Sequence, residues 1–371
     1  MAGEKIIKPD LQFVKRVVAA GGDTVKKCYQ CDTCSVVCNL TPDEKPFPRK
    51  EMLQAQWGLT DVLQDPDIWL CHQCSDCTVY CPRGAKPGEV LGVLRKMCIE
   101  KYATPPVLAN AVGDPKFLPL LIAFPMLLFF LALKITGHWH IPEGPIVFSK
   151  LFPTLLIDFI FVPTFFFAVA VLAKGVMAFW ADINATNPWK VKVEGNLVGN
   201  LIATLKDILL HNRFRECEIT YNRSTNHLFL LFGFIFLGIV TSWGFLNEWV
   251  LHHESPYAIY EPIKLLAIAG TASLLFGIYN ILKERQANAE KVGYGSYFDW
   301  FLIYVIFAVG ATGISAWLFR LVGIRILAYP TYFLHLCAVF MLFFYAPYTK
   351  MAHIVYRTVA MLQARMSSRG F

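Results

Sequence analysis

CYQCDTCSVVC (residues 28–38) and CHQCSDCTVYC (residues 71–81) decide what this chain is built around. Each is one copy of C-x2-C-x2-C-x3-C. The first run holds Cys28, Cys31, Cys34 and Cys38, and the second holds Cys71, Cys74, Cys77 and Cys81, together eight of the eleven cysteines. This is the ligand pattern for a pair of [4Fe–4S] clusters. Thiolate is the soft ligand that iron–sulfur chemistry needs, and the tight spacing lets three sulfurs reach one cubane. The fourth sulfur in such runs comes from the other copy. The expected sets are therefore Cys28, Cys31, Cys34 and Cys81 for one cluster, and Cys71, Cys74, Cys77 and Cys38 for the other. Pro82 follows the last cysteine, as the motif prefers, while Asn39 stands at the matching place in the first copy. Zinc modules pair C-x2-C knuckles across a gap, and these runs are too crowded for that. The opening MAGEKIIKPD is no secretory signal, which points to a reducing compartment and against disulfides.

Around the cysteines the composition splits the chain in two. Of 371 residues, 56% are hydrophobic and 16% charged, with a mean hydropathy of +0.46, too apolar for a soluble protein of this size. Residues 1–116 carry charges, prolines and both cysteine runs. After Phe117 come apolar stretches near or beyond the ~20 residues that cross a bilayer. The net charge of +7 is read as topology before nucleic-acid binding. The expected fold is all-α. A helical two-[4Fe–4S] ferredoxin-like domain (1–104) and a linker (105–116) precede a six-span transmembrane helix bundle (117–371).

The first domain shows helical spacing over residues 9–20, stopped by Gly21 and Gly22. RKEMLQAQWGLTDVLQ, between the cysteine runs, reads as helix interrupted by Gly58. EVLGVLRKMCIEKY reads as an amphipathic helix with Cys98 on its apolar face, a core residue and not a ligand. The spans are expected at about 117–136, 154–180, 227–250, 260–282, 298–320 and 329–350, with Pro125 and Pro163 kinking the first two. Residues 197–210 read as a helix on the membrane surface. One side of the bundle carries the iron–sulfur domain with Lys190, Lys192, Lys206, Arg213, Arg215, Arg223, Lys283, Arg285, Lys291, Arg357, Arg365 and Arg369. The other carries Glu143, Lys150, Glu248, His252, His253, Glu254, Glu261, Arg320 and Arg325. The positive-inside rule places the iron–sulfur domain and both termini in the cytoplasm.

Ionisable residues inside spans are costly and mark function. His335 and His353 are 18 residues apart, about 27 Å and five turns of continuous helix, so one helix could hold a haem near each membrane face. His227 opens the third span level with His353, and the two would make a bis-histidine haem b. His335 needs an outer partner. His138, His140, His252, His253 and Lys264 all remain candidates, although a loop role is the plainer reading of His138 and His140. His211, ahead of the third span, is read as facing the membrane surface or a partner. No C-x-x-C-H occurs, so c-type haem is not indicated. A quinone beside the outer haem would need a proton-exchanging group, for which Lys264 and His252 are the candidates.

With these motifs in place, the chain resembles the cytochrome-bearing iron–sulfur component of the quinone-interacting membrane-bound oxidoreductase (Qmo) complex. Its N-terminal part is similar to the small iron–sulfur subunit of heterodisulfide reductase. HLCAVFMLFFYAPYTKMAH, from His335 to His353, and HLFLLFGFIFLG, from His227, resemble the ligand spans of nitrate-reductase-type cytochrome b. That family has a second histidine ten residues after the first; here the position is Leu237. Its quinol-pocket lysine has its counterpart in Lys264. The resemblance implies two haems b and two [4Fe–4S] clusters joining menaquinone to two flavin- and cluster-bearing partner subunits, in service of adenylylsulfate reductase. A heterodisulfide-reductase-like complex of sulfite reduction is the nearest alternative, and a non-redox membrane anchor or metal-binding scaffold is the alternative of another class. The chain has no Cys-Cys pair and no glycine-rich dinucleotide fingerprint, so flavin chemistry would sit on other subunits.

Overall fold

The computed structural model describes residues 8–41, 46–185, 195–211, 221–253 and 255–367, and these are helical with no strand among them. Lys190, Lys192, Arg213, Arg215, Cys217, Glu254 and Arg369 lie outside the described residues.

The iron–sulfur region is a set of short helices. They are α1 (Leu11–Val17), α2 (Thr33–Val36), α3 (Arg49–Gln56), α4 (Asp67–Leu70) and α5 (Asp76–Val79), closed by the long α6 (Pro87–Tyr102). Asp10 caps α1 by accepting from the backbone of Gln12 and Phe13, which satisfies two of the amide groups a helix start leaves unpaired. Helix α3 stops before Gly58, which takes a positive φ of 69°. Phe13, Val17, Met52, Ile68, Trp69, Leu94 and Cys98 are buried in one core. Cys98 accepts from the Trp69 indole nitrogen at 3.2 Å, so it serves packing. Residues 106–113, read as linker from sequence, form helix α7 (Pro106–Gly113) with Ala109 and Val112 buried.

The bundle follows as α8 (Leu118–Ile135), α9 (Thr154–Ala185), α10 (Leu197–Leu210), α11 (Tyr221–Trp249), α12 (Pro262–Ala287), α13 (Ala289–Val292), α14 (Tyr297–Val322), α15 (Arg325–Phe344) and α16 (His353–Met366). Six of them (α8, α9, α11, α12, α14 and α15) are long and apolar enough to cross a membrane. Helices α11 and α12 form the closest pair. A Cβ on Gly277 would lie 2.7 Å from the Leu230 backbone nitrogen, so only glycine permits this approach, as in other small-residue membrane seams. Helix α14 packs on both α12 and α15, and α8 and α9 pack on α15.

One sequence expectation fails here. His335 and His353 do not share a helix. Helix α15 ends at Phe344, two 3-10 turns follow (Ala346–Tyr348 and Lys350–Ala352), and His353 opens α16. Pro347 lies in the break; it has no amide proton to continue a helical ladder.

The core of the iron–sulfur region runs on into the near end of the bundle. Trp69 stacks on Tyr356 of α16 with centroids 5.2 Å apart. Tyr102 donates to Asp182 of α9 at 2.8 Å, and Tyr348 donates to the Thr104 carbonyl at 2.7 Å. Aromatic pairs of this kind add about 0.5–1.5 kcal/mol beyond the area they bury.

A buried charge cluster lies under this region. Lys50 reaches Glu51 at 3.0 Å, Asp65 at 2.5 Å and Asp67 at 3.2 Å, and Glu51 is fully buried. Burial pushes the Glu51 carboxyl up to about 8, against the pull of Lys50. The native state therefore keeps a proton that the unfolded chain releases near its ordinary value of 4.5. Stability falls as pH rises between those two values, because the folded form binds more protons there. Glu51→Gln removes that slope. Following thermal loss of the visible iron–sulfur absorbance should show the variant gaining on wild type from pH 5 to pH 8. A constant difference across that range would refute the assignment.

Candidate electron-transfer site

The two cysteine runs fold into the same backbone shape twice. Gln30 and Gln73 occupy left-handed φ values of 60° and 55°, and Asp32 and Ser75 both sit at 72°. Such conformations cost non-glycine residues about 1–3 kcal/mol each and persist where surroundings enforce them. Asp32 and Ser75 then start α2 and α5, which pack on one another. This packing interleaves the runs. Cys81 and Cys31 both act electrostatically on Cys28, whereas Cys71 and Cys74 act on Cys38. A small cavity is lined by Cys38, Cys71, Cys74 and Cys77. Burial pushes the Cys34 and Cys38 thiols up to about 12. Grouped, half-buried sulfurs of this kind stay protonated on their own and lose their protons to a metal centre, so the donor set suits iron–sulfur clusters. N–H···S contacts already surround them: Gln30 Nε2 to Cys28 Sγ at 3.3 Å, the Gln73 amide to Cys71 Sγ at 3.2 Å and the Ala85 amide to Cys81 Sγ at 3.3 Å.

The two groups differ in exposure. Cys31 is exposed, and Cys28, Cys34 and Cys81 are half-buried; Cys71 and Cys77 are buried. The second run also faces the bundle. Arg223 of α11 donates to the Gln73 carbonyl at 2.7 Å, Arg357 of α16 donates to the Cys71 carbonyl at 2.9 Å, and Lys350 donates to Gln73 Oε1 at 3.1 Å. Arg95 of α6 donates to the Ile68 carbonyl at 2.6 Å. Lys350 also pairs with Asp299 of α14, which Arg285 approaches at 3.6 Å. Sequence reading missed this collar. Its residues are scattered, and basic groups at span ends read as topology.

Beyond the collar, His227 and His353 stand with ring centroids 6.3 Å apart and planes at 80°. Iron between two imidazoles needs about 2 Å to each nitrogen and about 1 Å more to each ring centre, about 6 Å in all. His353 Nδ1 lies 2.6 Å from the Lys350 carbonyl, and His227 Nδ1 lies 2.7 Å from His211 Nε2. With the Nδ1 atoms engaged, Nε2 is the ligating atom of each ring. Burial pushes His353 down to about 3, so it is the neutral imidazole that metals require. Between these helices lies a cavity of about 350 Å3, with Leu230, Phe234, Ile278 and Leu302 in its apolar wall and Arg95 and Arg223 at its polar end. These residues fit a haem b. His211 departs from its sequence reading: it is buried against His227 and faces neither lipid nor a partner.

The far end of the bundle is different. The His335 ring rests on α14, where a Cβ on Gly313 would lie 3.0 Å from its Cε1, and Nδ1 is 3.2 Å from Thr312 Oγ1. Leu237 packs toward Gly270 of α12. Among the described residues no second imidazole stacks with His335; the histidine ring contacts fall at His211–His227, His227–His353 and His253–Tyr257. The residues present do not make a bis-histidine site there. Lys264 Nζ lies 4.6 Å over the Trp317 ring, one turn beyond Gly313. His252 is exposed in a left-handed turn, and its neighbour His253 reaches Glu261 at 3.6 Å, just before α12. His138 and His140 lie in the turn after α8.

A 4Fe-4S dicluster domain joined to six helices long and apolar enough to cross a membrane defines an iron–sulfur electron-transfer protein with a membrane half. The chain belongs to the citrate utilization protein B family, whose model matches residues 117–370, while a 4Fe-4S dicluster domain matches residues 24–85. Citrate utilization protein B of Escherichia coli is 24% identical over 92% of this chain and 90% of its own length. The N-terminal part is 35% identical to a CoB–CoM heterodisulfide reductase iron–sulfur subunit of Methanocaldococcus jannaschii, over 27% of this chain and 59% of that protein. It is 36% identical to a subunit of the H(2):CoB-CoM heterodisulfide, ferredoxin reductase of Methanothermobacter marburgensis, over 23% of this chain and 47% of that protein. The match spans about half the length of these two reductase subunits. No solved structure matches the chain.

Proposed function

We propose that this chain carries electrons between a quinone pool and cytoplasmic partner subunits. The observation that carries the reading is the collar: side chains from α11, α16 and the turn before α16 bond the Cys71–Gln73 loop within a few residues of His353. When bound, two [4Fe–4S] clusters and a haem b supply one-electron carriers. Cys28, Cys31, Cys34 and Cys81 hold the cluster at the surface; Cys71, Cys74, Cys77 and Cys38 hold the one against the bundle; His227 and His353 hold the haem. The collar's cations neutralise the second cluster's negative charge and favour its reduced state. The iron–sulfur domain faces the cytoplasm, because Lys283, Lys291, Arg357 and Arg365 lie at its end of the bundle. The purified full chain should contain about eight non-haem irons and show the α-band of reduced haem b. A chain with neither the iron nor that band would be a non-redox anchor.

A quinone at the far end would sit with Lys264 beside its reduced oxygen and His252 near the proton entry. Its electrons would need a second haem on His335 with a ligand other than histidine, because the His227–His353 pair lies at the opposite end. A lysine in the apolar zone is costly and is stabilised by a carbonyl gaining charge. Lys264→Ala should slow haem reduction by a menaquinol analogue on the order of 100-fold at unchanged haem content. Normal reduction would move the quinone to the His353 end.

Menaquinone and adenylylsulfate reductase remain the proposed ends of the route, as in the Qmo complex. The full-length similarity to citrate utilization protein B favours a second reading, a partner linked to citrate use. Mixing the reduced complex with oxidised adenylylsulfate reductase separates them. Haem reoxidation supports the first reading, and its absence favours the second.

A further inference from the structure

We propose that His211 is a positioning residue for the haem-binding imidazole of His227, fixing the ring's orientation and raising its electron-donor strength. The inference rests on the reading of His227 and His353 as an axial pair. His211 ends α10 in a left-handed conformation, φ 52°, with its amide donating to the Asp207 carbonyl at 3.0 Å. Its exposure is 4%. Its Nε2 lies 2.7 Å from His227 Nδ1, and the ring centroids are 4.9 Å apart. Helix α10 is held in place by Asp207, which pairs with Arg365 of α16. The imidazole is thus brought in by an element outside the spans and fixed from two sides.

The chemistry sets the direction of the bond. A neutral imidazole that binds metal through Nε2 carries its proton on Nδ1. His227 therefore donates, and His211 Nε2 accepts. His211 serves as that acceptor in the tautomer that carries its own proton on Nδ1. An acceptor at Nδ1–H makes the ligating ring more basic. A more basic axial ligand stabilises the ferric state and lowers the reduction potential. The His353 ring meets a backbone carbonyl instead, so the two ligands are tuned by different groups. A buried histidine paired with its neighbour is also what plain packing produces, and the potential distinguishes the two roles.

The test uses the full chain in detergent, as wild type, His211→Gln and His211→Leu. Haem per chain, the haem midpoint potential and the ferric EPR signal are read for each. In His211→Leu haem should be retained, and the reduced-to-oxidised ratio at fixed potential should rise tenfold, about 59 mV for one electron, with a changed g-max. His211→Gln, which keeps an acceptor, should return both values toward wild type. Wild type without haem would defeat the axial-pair reading itself. Retained haem with unchanged potential and EPR in His211→Leu would overturn the positioning role and leave the axial pair standing. If His211→Leu loses haem, His211→Gln decides: retention with a wild-type signal supports the role, and loss in both variants overturns it.

Discussion

His227→Ala and His353→Ala should each remove one equivalent of haem b while leaving the iron–sulfur signals in place. The centroid spacing of 6.3 Å suits one metal between two rings, and a single remaining imidazole cannot close that site. Each ring is held by a different anchor: His353 by the Lys350 carbonyl and His227 by His211. Neither substitution removes the α11–α12 seam, because Gly277 approaches the backbone of Asn226 and Leu230 and not the imidazole of His227. The bundle should therefore remain folded, and size-exclusion behaviour should match wild type. Haem content unchanged in both variants would end the assignment. Loss of the cluster signals as well would show that the bundle end had collapsed.

Cys34→Ser should abolish one cluster's EPR signal and lower non-haem iron from about eight to about four per chain. Serine oxygen is a harder, poorer ligand for iron–sulfur centres than thiolate. Metal ligation is a large part of the folding energy of small metal domains, so the region around α2 should lose protease resistance too. The crossed arrangement makes a sharper statement. Cys81→Ser should abolish the same signal as Cys34→Ser, and Cys38→Ser the other. Cys98→Ser and Cys337→Ser should remove neither. Cys98 is enclosed by Trp69 and the Leu63 carbonyl, and Cys337 is buried within α15. Loss of a cluster on changing Cys98, or Cys38 grouping with Cys34, would refute the ligand sets.

Much of the architecture was legible. Glycine-delimited helices around Gly58, the amphipathic α6 and six apolar runs followed from periodicity and length, because burial in a protein or in lipid leaves that imprint on each segment separately. The helix over 197–210 was equally readable. The failure at Pro347 was local. The apolar run continues past Phe344, and hydropathy alone does not register a missing amide proton. His211 was misread for a different reason. Its partner is 16 residues away with no shared periodicity, and only the return of α10 against α16 brings the two rings together.

By itself the sequence determined the clusters' ligand type, the number of apolar crossings and the division into an iron–sulfur half and a membrane half. Those properties belong to residue chemistry and to spacing along one segment. Only the tertiary structure decided which cysteine run faces the bundle, that four basic side chains surround it, that His211 meets His227, and that His335 meets Thr312. These depend on where separate helices pack, and packing is fixed by close approaches such as Gly277 on Leu230 and by charge pairs such as Asp207 with Arg365, whose partners are far apart in the chain.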